Sequence, residues 1–193
     1  NCEYSCEFNL SDNIKYMGVS MVYNGNGPGA PNLYGVFHLP SGLKEINGQV
    51  FCGLGSNGSF TGDIDIPQGV AEIGDEAFVI SFKNRVNLSL PAGVKRIGKG
   101  AFGGKIRFNS LHFNNDLQVI EKEAFYCCNM PFQIKLPEEL VIIGERSFYA
   151  CGIEGEIIIP EGCLDIGSNA FAGNDLTRLT LPSKLEYIKD EAF

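Results

Sequence analysis

One residue type recurs along this chain at a spacing that few folds can accommodate. Phenylalanine stands at Phe51, Phe78, Phe102, Phe125, Phe148, Phe171 and Phe193, at intervals of 27, 24, 23, 23, 23 and 22 residues. Each lies eleven residues after a slot that holds Pro40, Pro67, Pro91, Pro137, Pro160 and Pro182, with Asn114 as the single variant. Three residues past that slot come Leu43, Val70, Val94, Leu117, Leu140, Cys163 and Leu185. Three further on, isoleucine stands every time: Ile46, Ile73, Ile97, Ile120, Ile143, Ile166 and Ile188. A period of this length signals a stacked architecture. One unit of about 23 residues cannot bury its own apolar face, but a stack of units shares one continuous core.

Each slot has a physical reading. Before the proline the pattern is apolar–polar–apolar, as in Ile64-Asp65-Ile66, Leu88-Ser89-Leu90, Ile134-Lys135-Leu136 and Leu179-Thr180-Leu181, with Ile157-Ile158-Ile159 keeping the flanks but not the polar centre. Period two predicts a short strand with one face buried. Proline ends it because it has no N–H for a ladder, and Gly42, Gly69, Gly93 and Gly162 allow a tight turn two residues on. The Val-x-x-Ile stretch predicts a second extended segment. Gly74-Asp75-Glu76-Ala77-Phe78 and its counterparts predict a single helical turn. Glycine would supply its bend, early acids would suit its dipole, and the small residue before each Phe would let coils approach.

The pattern resembles the BspA-like class of leucine-rich repeat, whose units run roughly L-x-x-I-x-I-P, V-x-x-I-G, then A-F-x-x-C. The likeness covers about 160 residues in seven copies, and Cys128 and Cys151 fall in its cysteine slot. It implies a repeat solenoid: a leucine-rich repeat right-handed superhelix, mostly short parallel β-strands with single helical turns. The expected organisation is an N-terminal cap over residues 1–33, then seven repeats of about 23 residues over 34–193, the last truncated. The chain stops at the ladder Phe193 with no polar capping segment after it, which predicts that the natural protein continues.

Composition narrows the function. A net charge of −8 with 15 Lys and Arg argues against nucleic-acid binding through phosphates. No run of about 18 apolar residues occurs, so no membrane span is predicted in this segment. His38 and His112 both fall on the polar strand position, three repeats apart and so roughly 15 Å from one another, too far to share a metal. Seven cysteines make complete internal pairing impossible. Cys128 and Cys151 are expected as buried free thiols and Cys163 as a small hydrophobe, whereas Cys2 and Cys6 are open to pairing with each other or with Cys52. Gly53-Leu54-Gly55-Ser56-Asn57-Gly58 matches a dinucleotide-binding string, but no helix can follow before the next strand, so a lengthened loop is expected. No catalytic, cofactor or metal residues are assigned, and the chain is read as not an enzyme.

What remains is surface. The outward strand positions are His38, Asp65, Ser89, His112, Lys135, Ile158 and Thr180, and those two residues earlier are Val36, Asp63, Asn87, Ser110, Gln133, Glu156 and Arg178. From these rows Asp63, Asp65, Ser89, His112, Lys135, Ile158 and Arg178 are taken as candidate partner-binding residues. The resemblance implies a bacterial or protozoan protein, secreted or at the cell surface, that binds another protein or a surface polymer in adhesion. The competing reading is a passive structural spacer of a larger surface protein, which predicts uniformly polar rows. Ile158 is the residue that departs from that.

Overall fold

The computed structural model describes residues 5–7, 10–18, 32–36, 38–51, 59–80, 82 and 84–193. Every paired strand is parallel. Strands β1 (Ser5–Glu7), β2 (Asn32–Val36) and β3 (Ser59–Thr61) form one sheet in chain order. The cap proposed for residues 1–33 thus contributes β1, while residues 1–4, 8, 9 and 19–31 lie outside the described residues. The Gly53–Gly58 loop lies outside them too.

From there the chain winds as a parallel β-solenoid with two hydrogen-bonded walls. The strand wall carries β4 (Ile64–Asp65), β6 (Val86–Ser89) and β8 (Phe108–His112), followed after an interruption by β11 (Glu154–Ile158) and β13 (Asp175–Thr180). The isoleucine wall is the expected second extended segment. Its six two-residue strands are β5 (Glu72–Ile73), β7 (Arg96–Ile97), β9 (Val119–Ile120), β10 (Ile142–Ile143), β12 (Asp165–Ile166) and β14 (Tyr187–Ile188), an unbroken ladder. Between the walls the recurring apolar slots merge into one buried cluster running from Met17 to Ala192.

At the centre stands the phenylalanine column. Phe51 through Phe171 are buried, and successive rings down to Phe193 lie 5.0–5.5 Å apart, within 10° of parallel from Phe78 onward. Parallel rings at that separation are in offset contact, the favoured aromatic geometry, worth about 0.5–1.5 kcal/mol per pair beyond burial. Phe113, the large residue in the slot before Asn114, presses edge-on against Phe125 and Phe148. The Asn114 amide that replaces proline donates to Pro91 O and to Val94 O (3.1 Å), binding the preceding turn where a proline could only end the strand.

The expected helical turn does not form. The residue two before each phenylalanine is left-handed in every coil: Gln49, Glu76, Gly100, Glu123, Arg146, Asn169 and Glu191 have φ between 52° and 59°. Its N–H points not back along the chain, as in a helix, but sideways to the next coil, as from Glu123 to Glu145 O (2.8 Å) and from Arg146 to Ser168 O (2.9 Å). The phenylalanine N–H does the same, Phe125 to Ser147 O and Phe148 to Ala170 O, each at 2.8 Å. A left-handed non-glycine residue costs about 1 kcal/mol, and the lateral bond it frees offsets a similar amount. The glycine slot serves another purpose than the expected bend. Gly74 has ordinary φ, but a Cβ there would lie 2.3 Å from Gly48 N, so the slot exists for close approach of coils.

Two stability outcomes follow. Phe125→Ala removes a ring that touches both neighbours in the column and should cost roughly 3–5 kcal/mol in denaturant melts, whereas a loss below about 1 kcal/mol would show that the column is not the core. Ser147 takes the slot where five other coils have alanine and the first has Val50, is fully buried, and its Oγ has no hydrogen-bond partner. Ser147→Ala should therefore raise stability by about 1 kcal/mol in the same melts.

Candidate functional site

The strand wall presents its side chains as the period-two pattern requires. His38, Asp65, Ser89, His112, Lys135, Ile158 and Thr180 are all exposed, while the apolar flanks of Asp65, Ser89, Lys135 and Ile158 are buried and those of Thr180, Leu179 and Leu181, are exposed at the last coil. They are not equally available. Asp63, in the row two residues earlier, is half-buried, and its Oδ1 accepts from the Asn87 backbone N–H (2.7 Å) and side-chain amide (2.9 Å). Asn87 Oδ1 in turn accepts from Ser110 Oγ (2.7 Å) and the Asn109 amide (3.0 Å). Asp63 is thus largely occupied in tying coils together. His38 Nε2 lies 3.3 Å from Asp12 Oδ1, and the Asp12 carboxyl is held below its usual range by the Ser41 N–H first and His38 second. Arg178 is exposed, its guanidinium 3.9 Å from Glu156 Oε1.

Lys135 and Ile158 are brought together by a feature of the wall itself. The Gln133–Leu136 stretch, expected to be a strand like its counterparts, is not one. Pro131 stands six residues after Phe125, where the neighbouring coils have Phe108 and Glu154, and it has no N–H to donate. The next N–H, that of Phe132, folds back to Met130 O (2.7 Å). Ladder pairing is not regained before the proline: residues 133–136 make no backbone hydrogen bond to β8 or β11. A side chain takes over one place, the Gln133 amide donating to Glu156 O (3.0 Å). The result is a groove of about 530 Å³ between this segment and β11, walled by Gln133, Lys135 and Leu136 on one side and Glu156, Ile158 and Pro160 on the other, with Glu138 at its end. Ile158 is 54% exposed, in a position that is polar in every other coil. Glu138, Pro160 and the break itself were not visible as site features in the repeat pattern. The signal was Pro131, a strand-position proline in one coil alone.

The isoleucine wall is built differently. Arg96 donates to Glu72, to Asp75 Oδ1 (3.2 Å) and to Glu121 Oε1 (3.3 Å), a clamp across three coils. Burial opposes its charge, the three carboxylates outweigh burial, and its pKa is raised. A second cavity of about 570 Å³ lies beside this clamp along Lys44–Gly48, its charged groups engaged in the clamp or exposed and its Asn47 amide donating to Met17 O (2.9 Å). Among the described residues no group of three or more His, Cys, Asp or Glu is arranged to hold a metal. No described helix is long and apolar enough to cross a membrane.

The cysteines of the repeat slot serve the fold. Cys128 Sγ donates to Phe102 O (3.1 Å) and Cys151 Sγ to Phe125 O (3.0 Å), both toward the preceding coil. Asn174 occupies the same slot and donates likewise to Phe148 O (2.8 Å). These thiols and Cys163 are free and buried, and burial pushes Cys128 far up, Cys151 to about 12 and Cys163 to about 11. Pairing among Cys2, Cys6 and Cys52 rests on side chains outside the described residues. Iodoacetamide at pH 8 on the native protein should leave Cys128, Cys151 and Cys163 unlabelled in peptide mass maps until the domain is unfolded. Half-exposed Cys127 should react first among these four.

A parallel β-solenoid with a strand wall, a second short-strand wall and a single aromatic column to which each coil gives one ring defines a repeat protein of the leucine-rich type. The sequence pattern of the BspA type leucine rich repeat region, in six copies, matches residues 33–130 and 80–193, and the chain belongs to that family. None of the curated proteins is detectably similar to it. Among solved structures, a leucine rich cell surface protein from Faecalibacterium prausnitzii A2-165 superposes with a TM-score of 0.46 at 13% identity, over 94% of this chain and 65% of that one.

Proposed function

We propose that the chain is a non-enzymatic, cell-surface or secreted binding module that engages another protein or a surface polymer, in adhesion, through its strand wall. Membership of the BspA-type family supports the surface setting, and the acidic net charge argues against nucleic acid as partner. The observation that carries the reading is Ile158, a large apolar side chain exposed over a groove, in an outward row whose other members, from His38 to Thr180, are polar. Burial of an exposed aliphatic at a partner's surface is the usual source of affinity, with surrounding polar groups setting orientation. Lys135 and Arg178 flank that point, and Asp65, Ser89 and His112 extend the surface toward the other end. Asp63 contributes mainly by holding Asn87 and Ser110 in place. A passive spacer would instead owe nothing to the identity of these side chains.

Protein and glycan arrays probed with three forms of the chain separate the two readings. Lys135→Glu combined with Ile158→Asp should lower binding by about tenfold or more, a change of about 1.4 kcal/mol. Ile142→Asp, at an exposed position of the isoleucine wall, should leave it unchanged. Equal binding by all three forms, or none by the wild type, would favour the spacer.

A further inference from the structure

The interruption of the strand wall has a chemical demand of its own. In a parallel ladder each backbone N–H and C=O is paired across to the next coil, and a group left without that pairing is a standing site for another chain. Residues 133–136 keep such groups beside the groove, since neither β8 nor β11 bonds to their backbone and only the Gln133 side chain bridges to Glu156 O. One side of the groove is thus lined by a segment whose main chain is unpaired, and the other by Ile158 and Pro160. Residues 133–136 line one side of the groove ahead of the turn at residues 138–139, and four residues at about 3.3 Å each reach roughly 13 Å, enough for a peptide of four to five extended residues.

Charge selects among peptides. Glu138 and Glu156 line the groove, and Glu139, Glu154 and Glu161 stand near it in sequence, against Lys135 and the more distant Arg178. Glu156 Oε1 keeps only a 3.9 Å contact to Arg178 and a 3.5 Å hydrogen bond from Thr180. A positively charged partner is favoured there. Saccharides usually stack on aromatic faces, and no aromatic side chain lines this groove. The half-exposed Tyr126 and Tyr149 stack on each other at the phenylalanine turn instead.

From these observations we infer that the groove takes an extended peptide of about five residues with alternating apolar and basic side chains. Its main chain pairs with the backbone of residues 133–136, an apolar side chain packs on Ile158, and basic side chains reach Glu138 and Glu156. The inference rests on the strand wall being the binding face, and it names that face's occupant.

The test is a titration of the isotopically labelled full chain, followed by amide chemical shifts, with an acetylated and amidated hexapeptide of alternating lysine and valine. Saturable shifts should centre on residues 133–136 and 155–158. The same peptide N-methylated at alternate residues should bind about tenfold or more weakly, as expected for two lost main-chain hydrogen bonds of about 1 kcal/mol each. A glutamate–valine peptide should bind more weakly still. Ile158→Lys, at an exposed position that leaves the fold intact, should weaken binding by a similar factor. Equal affinity for the N-methylated peptide, shifts concentrated on Asp63 and Asp65, or a response to cellohexaose and not to the peptide would each overturn the inference. If these occur while the array binding still depends on Lys135 and Ile158, the peptide assignment falls and the binding face stands. If the array binding is indifferent to the wall and the groove nevertheless titrates, the converse holds.

Discussion

The contact between one phenylalanine ring and the next governs this structure. Rings 5.0–5.5 Å apart and nearly parallel bring successive coils to about the separation that parallel strands need, so column and ladders share one rise. Most other features follow from holding that register. The turn before each ring must send its N–H groups sideways, and to do so it accepts a left-handed residue in every coil. The slot three residues after Phe125, Phe148 and Phe171 returns a donor to the preceding coil, supplied by cysteine or asparagine. The slot between isoleucine and that turn is held open for the neighbouring backbone where it is glycine.

How much of this could be read from the residues depended on whether a slot's chemistry is intrinsic to its side chain. Isoleucine, phenylalanine and the alternating triplets announce burial by themselves, and the isoleucine wall, the column and the strand wall apart from residues 133–136 lie where they predict. The left-handed row did not show, because Gln49, Glu76, Glu123, Arg146 and Glu191 have no intrinsic preference for positive φ. Gly100 and Asn169 were the only hints. Acids and a glycine before an apolar residue therefore looked like a helix start, when lateral bonding between coils, invisible in one repeat, decides the backbone. The cysteine slot was legible as a position but not as a donor, until Asn174 showed the shared hydrogen bond.

The candidate site divides in the same way. That the strand wall would present one side chain per coil was legible from period two, and Lys135 and Ile158 were picked out on that ground alone. That they face one groove was not, because the groove depends on what Pro131 fails to do for its neighbours. The two walls also differ in kind. The isoleucine wall is laced by ion pairs such as the Arg96 clamp and Lys122–Glu145 (3.0 Å). The strand wall from β4 to β8 relies on hydrogen bonds around Asn87 and Asp63, with the Arg85 guanidinium donating to Phe108 O (2.8 Å) beside them.

Seen as a beam, the solenoid has two flanges and a web. The isoleucine wall is a continuous flange and the phenylalanine column a continuous web, while the other flange is parted at a single coil. Such a beam is stiff against bending everywhere except about that coil. There, among the described residues, the parted flange is crossed by the Glu154 N–H on Phe132 O (3.4 Å) and the Gln133 amide on Glu156 O (3.0 Å) in place of a regular ladder. The softest joint of the beam and the cavity therefore coincide at residues 133–136.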